Sequence, residues 1–247
     1  MDVISLADSA DVVSISSDAM SISSDDVGGG AEPGDVFLKL ERRLHRLAQS
    51  SIVRAPSRSV TASSALDSST RRPTRPRCCI IGLAPNRGLY HKPQLSAHSY
   101  KPELADLALA INELVKKERP GFQYTSIEVN LNVRTKMHRH RNNDGWSETV
   151  SFGSNEGGRL WVYAENGLSS LPAAGLEPDF PNGQLIPGTF VNTHHRFFRF
   201  DGAKAHYVEE FSGNRYSIVC YTLKRYLYMS RDAREWLEAL QFPLPPY

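Results

Sequence analysis

Cysteine is scarce in this 247-residue sequence: Cys78, Cys79 and Cys220 form an odd set, and two of them are adjacent. That excludes a disulfide framework and suits thiols kept in a reducing compartment. No run approaches the ~18 uninterrupted apolar residues of a membrane-spanning helix, so no membrane partner is expected. The first residues carry Asp2 and Asp8 and lack a cationic stretch ahead of an apolar one. Neither a secretory signal nor a transit peptide is therefore expected, and the expected location is intracellular, nucleus or cytoplasm. A strong net charge is lacking too, at a formal +2, but the charge is segregated along the chain. Residues 1–35 hold eight acidic side chains and no Lys or Arg, whereas residues 36–77 hold ten Lys/Arg against Glu41 and Asp67.

What is present divides into two textures. Residues 1–77 are serine-rich, charge-segregated and aromatic-poor, and they repeat Ser-Ile-Ser-Ser-Asp at 14–18 and 21–25. Such sequence buries too little apolar surface to offset its ordering entropy, so a disordered N-terminal tail is expected over 1–77. Within it, Leu40, Leu44 and Leu47 have helical spacing beside Arg42, Arg43 and Arg46 over 37–49. A solvated basic segment and a docking helix both fit that pattern.

From Cys78 the chain reads as one folded domain, 78–247. Residues 78–83 are a short buried-strand candidate. Residues 102–118 are a helix with Pro in the first turn and Leu104, Leu107, Ile111, Leu114 and Val115 on one face. After Pro120 the pattern has period two, with strand candidates at 124–137, 148–152, 159–163, 188–201, 206–211 and 215–223. An amphipathic helix, 230–240, closes the chain behind an N-capping Ser230. The expected class is mainly β, a jelly roll (double-stranded β-helix) with flanking α-helices.

The chemistry concentrates in the stretch from Lys136 to Ser147. On a strand, residues i and i+2 share a face, so His138 and His140 can address one point. His206, on a later strand, can supply a third ligand to a mononuclear metal and leave coordination positions open. Nine residues beyond His206, Arg215 and Ser217 share a strand face and can hold a carboxylate. His194 and His195, being consecutive, cannot share one site.

These residues resemble the iron- and 2-oxoglutarate-dependent dioxygenases of the TET/J-base hydroxylase superfamily. Carrying the resemblance are His138, Asn143, Gly145 and Ser147, the run Gly157-Gly158-Arg159-Leu160-Trp161-Val162, Phe200-Asp201-Gly202, His206, and Gly213-Asn214-Arg215-Tyr216-Ser217. It spans about 122–223. The resemblance implies Fe(II) on His138 and His206, with 2-oxoglutarate as cosubstrate anchored by Arg215 and Ser217, and Asn143 among the cofactor-binding residues. It further implies hydroxylation of a modified pyrimidine, with DNA or RNA as partner.

The chain departs from that family at one position. Where the family has His-x-Asp, it reads His138-Arg139-His140. Imidazole supplies neither the negative charge nor the hard oxygen of a carboxylate. Three outcomes follow: His140 completes a neutral three-His site, the metal is under-ligated, or catalysis is lost and a nucleic-acid- or protein-binding domain remains. Arg134, Lys136, Arg139, Arg141, Arg196 and Arg199 are expected near the mouth, where as a group they suit a polyanion. Beyond residue 77, 19 basic residues stand against 17 acidic ones, without the excess of a dedicated nucleic-acid binder.

Overall fold

The period-two stretches of the sequence become strands of two antiparallel sheets in the computed structural model, which describes residues 33–52, 77–85 and 92–247. In chain order the elements are α1 (Pro33–Gln49), β1 (Arg77–Ala84), β2 (Gln94–Leu95), α2 (Pro102–Glu118), β3 (Ser126–Leu131), β4 (Asn143–Phe152), β5 (Asn155–Gly157) and β6 (Leu160–Tyr163). There follow β7 (Ser169–Pro172), β8 (Leu185–Val191), β9 (Phe198–Asp201), β10 (His206–Val208), β11 (Phe211–Gly213), β12 (Tyr216–Leu223) and α3 (Arg231–Ala239).

The larger sheet has the order β2-β1-β3-β12-β4-β9, the smaller β10-β6-β8-β7, and β11 pairs with β5 in a separate ribbon. From β3 onward the chain shuttles between the sheets. It passes from β3 to a bridge at His138 beside β10, back to β4, across to β6 and β8, back to β9, across to β10, and back to β12. That winding, antiparallel throughout, is a jelly roll with flanking helices, as the sequence led us to expect.

The larger sheet is covered on one face by helices. Ile81, Ile127, Val129, Val150, Phe152, Ile218 and Cys220 are buried in one core with Leu104, Leu107 and Ile111 of α2 and Leu237 of α3. Pro102 sits in the first turn of α2, where its missing N–H is no loss. Ser230 caps α3, its hydroxyl accepting from the Ala233 N–H at 3.1 Å. Even the buried polar group of α2 is satisfied: Asn112 donates to the Leu240 carbonyl and accepts from Tyr124 Oη, both at 2.6 Å.

The expectation of a tail over 1–77 is corrected at Pro33–Gln49. There Leu40, Leu44 and Leu47 lie buried in the same core, while Arg42, Arg43 and Arg46 stay exposed. Burying a leucine stabilises by ~1.5–3 kcal/mol, so the three-leucine stripe offsets part of the ordering entropy, a contribution that a merely basic segment lacks. Polar contacts fix the pose of α1: Arg43 donates to the Asp106 carbonyl at 3.2 Å, and Glu41 accepts from His195 at 3.0 Å. Residues 1–32 and 53–76, including the serine–aspartate repeat, lie outside the described residues.

Two strand expectations change as well. The stretch 124–137 leaves the sheet after Leu131 because Asn132 takes φ 55°, a left-handed backbone that Asn tolerates. The stretch 188–201 splits into β8 and β9, which belong to different sheets.

Candidate metal centre

A segment between β3 and β4 meets a strand distant in the sequence at the candidate centre. His138 pairs with His206 as an antiparallel bridge, each main-chain N–H donating to the other's carbonyl at 3.0 Å. His206 begins β10, and His140 is held two residues beyond His138 by its own N–H donating to the Gly202 carbonyl at 2.8 Å. Gly202 suits that corner: a Cβ there would lie 3.0 Å from Asn143 Nδ2 and 3.1 Å from Ser147 Oγ, so those side chains would have to give by a few tenths of an ångström.

One ligand atom from each of His138, His140 and His206 lies within 4.8 Å of the others. The ring tautomers are set by the backbone. His138 Nδ1 donates to the Lys136 carbonyl at 2.7 Å, and His206 Nδ1 donates to the Lys204 carbonyl at 2.8 Å. Each ring therefore turns an Nε2 lone pair to the common centre, the arrangement in which metal-binding imidazoles are usually held. His138 Nε2 faces His140 Nε2 at 3.0 Å. Burial first, then mutual repulsion, keeps the rings neutral: His206 is pushed down to about 3 by burial with His138 and His140 beside it. Burial also lowers His138, with His140 adding to the effect, and lowers His140. Three neutral, convergent imidazoles, two of them oriented by backbone carbonyls, are a donor set that fits a borderline divalent metal.

The rings open onto a narrow cavity of about 50 Å³ between the two sheets. Its floor is the second face of the larger sheet: Glu128 and Asn130 of β3, Ser217 and Val219 of β12 and Thr149 of β4. These residues sit in register, with Glu128 opposite Val219, Val219 opposite Thr149, and Asn130 opposite Ser217. Leu160, Val208 and Phe200 close the other sides. Arg215 also reaches this cavity, 4% exposed, and desolvation alone pulls its pKa down to about 10. Its Nε donates to the Gly158 carbonyl at 2.9 Å. Gly158 is what permits the approach, because a Cβ there would stand 2.7 Å from Arg215 Cδ at a backbone φ of +77°. Among the described residues no carboxylate pairs with Arg215, so its charge is free for an anion from outside.

Of the residues singled out in the sequence, His138, His140, His206, Arg215 and Ser217 line one cavity. Asn143 does not. It is buried at the start of β4, with Nδ2 3.5 Å from Ser147 Oγ, and it supports the Gly202 corner from behind. His195 binds Glu41 of α1, and His194 lines a separate cleft. The residue that sequence reasoning missed is Glu128. In Ser-Ile-Glu-Val-Asn-Leu the alternation reads as an ordinary strand with a wet face, and only closure of the roll turns that face inward.

Three of the six basic residues expected near the mouth pair with carboxylates. Arg134 pairs with Glu210 at 2.7 Å, Arg199 with Glu148 at 2.8 Å, and Arg139 with Asp179. The expectation of a nucleic-acid partner gains no support from this arrangement. No helix among the described residues is long and apolar enough to cross a membrane.

No family model and no curated protein matches this chain. Solved structures similar to it include a prolyl hydroxylase from Trichoplax adhaerens in complex with a hypoxia inducible factor oxygen degradation domain peptide fragment. That match has a TM-score of 0.41 at 15% identity and covers 78% of this chain and 81% of the other. A prolyl-4-hydroxylase from Pseudomonas putida matches with a TM-score of 0.40 at 14% identity, covering 78% and 89%.

Proposed function

We propose that this chain is a mononuclear-metal oxygenase that works with a 2-oxo acid, its metal held by His138, His140 and His206. The observation that carries this reading is the convergence of three imidazoles, two of them oriented by backbone carbonyls, on a cavity whose other polar pole is the buried Arg215, which has no carboxylate partner among the described residues. Iron(II) with a bound 2-oxo acid supplies activation of dioxygen for hydroxylation of a C–H bond. The chain's own residues do the rest. The Lys136 and Lys204 carbonyls hold the His138 and His206 rings in the ligating tautomer. The guanidinium of Arg215, backed by Gly158 and beside Ser217, binds the far carboxylate of the acid. Leu160, Val208 and Phe200 exclude water around it.

The substrate implied by the sequence resemblance is a modified pyrimidine base in nucleic acid. Paired arginines at the mouth weaken it without touching the metal assignment. A second reading, a binding domain that has lost catalysis, is favoured by the imidazole at 140 and by the direct His138–His140 ring contact, which neutral rings make without metal.

Anaerobic calorimetry on the full-length chain separates the two. Stoichiometric uptake of Fe(II) or Mn(II) is expected, followed by binding of 2-oxoglutarate to the loaded protein. Arg215→Met should keep the metal and lose the 2-oxo acid. Failure of the wild type to bind either metal at micromolar concentration would leave the binding-domain reading in its place.

A further inference from the structure

The centre as built lacks a negative charge. A divalent ion on three neutral imidazoles, with the guanidinium of Arg215 in the same cavity, would place three positive charges in one largely buried space. Such a cluster is costly to bury without compensation. The cavity holds one acid. Glu128 projects from β3 on the same face as Asn130, its partner across the ladder is Val219, and it lines the cavity together with all three histidines and Arg215. It interacts electrostatically with His138. It forms no ion pair among the described residues, although eight other carboxylates do. A carboxyl enclosed in a protein without a cationic partner is rare, because desolvation penalises it.

We infer that Glu128 supplies from β3 the carboxylate charge that position 140 lacks, acting on the metal from outside the ligand set. Its oxygens are not among the atoms that cluster within 4.8 Å, so it is a positioning and charge-balancing residue rather than a fourth ligand. Two geometric facts favour this over a structural role. Asn130, two residues along the same strand face, is hydrogen-bonded to the Glu128 side chain and orients it. The strand beneath is pinned on both sides, by β1 and by β12, which fixes the direction in which the Glu128 side chain leaves the backbone. In the metal-free protein Glu128 is a burden; with a cation at the histidines it becomes favourable. Opposite signs in the two states are what distinguish it from a packing residue.

This inference rests on the metal reading above, and its test keeps the two apart. Mn(II) affinity is measured by calorimetry, and thermal unfolding is followed with and without Mn(II), for full-length wild type, Glu128→Gln and Glu128→Asp. Glu128→Gln keeps the shape and a hydrogen bond to Asn130. It should weaken Mn(II) binding by ~10–100-fold, as outer-shell substitutions do, while the metal-free melting temperature stays level or rises. Glu128→Asp should recover part of the affinity. Wild-type affinity in Glu128→Gln overturns the inference and leaves the metal reading standing. So does a Glu128→Gln chain whose metal-free form is clearly destabilised, which would make Glu128 a structural residue. A wild type that takes up no Mn(II) overturns both.

Discussion

The larger sheet is covered on both faces, and the two faces differ in kind. Toward the helices its register rows read Val129–Ile218–Val150 and Leu131–Tyr216–Phe152. Toward the cavity, one residue along, they read Glu128–Val219–Thr149 and Asn130–Ser217–Ser151. The same strands thus hold the protein together with odd-numbered residues of β3 and build the site with even-numbered ones. A strand shifted by one residue would exchange the two sets. Stability and chemistry are therefore separable by substitution, which can be tested face by face.

The largest effect is expected on the helix side. Phe152 is fully buried, and Phe152→Ala should lower unfolding free energy by ~3–5 kcal/mol in urea titrations. Ser217→Ala, on the cavity face of the neighbouring strand, should change it by less than about 1 kcal/mol. Equal losses would erase the division between the faces.

A somewhat smaller loss tests whether α1 belongs to the helical cover. Leu44 is 0% exposed, and Leu44→Ala should destabilise by ~2–5 kcal/mol. Arg46→Ala, one turn away from the stripe and exposed, should be close to neutral. If both were neutral, α1 would be an accessory to the core rather than part of it.

The last effect belongs to the cavity and appears only with pH. Between about pH 6.5 and 3 an unfolded chain protonates His206 while the folded, metal-free protein does not. The unfolded state then binds more protons, so stability falls as pH drops through that window and is flat above it. The slope from one such group is up to about 1.4 kcal/mol per pH unit. His138 and His140, also lowered by burial, add in the same direction. Urea midpoints at pH 7.5, 6 and 4.5 should show the decline, and His206→Leu should flatten it. An identical slope in that variant would trace the acid sensitivity to other groups.

How much of this was legible in the sequence follows from which forces act locally. Helix α2 was readable to its ends because Pro102 and a five-residue apolar stripe are local signals. The jelly-roll class was readable from the number and spacing of period-two stretches. His138, His140, His206, Arg215 and Ser217 were readable because their strand spacing and order survive translation into space. Three features were not. The burial of α1 depends on a surface formed by residues far away, so its arginines masked its leucines. The divide between β8 and β9 depends on which sheet each strand joins. Glu128 looks like any solvent-facing strand acid until the smaller sheet closes over it.

The reciprocal hydrogen bonds between His138 and His206 have one more consequence, for the order of folding. The two residues lie far apart in the chain, and pairing them closes a long loop whose entropy is repaid only by contacts that form at the same time. Local structure such as α2 can nucleate early; the imidazole triangle cannot exist until the roll has shut. Anything that reads that triangle, an ion above all, meets only the finished molecule. It would therefore act as a latch on unfolding, slowing escape from the native state while leaving the search for it unhurried.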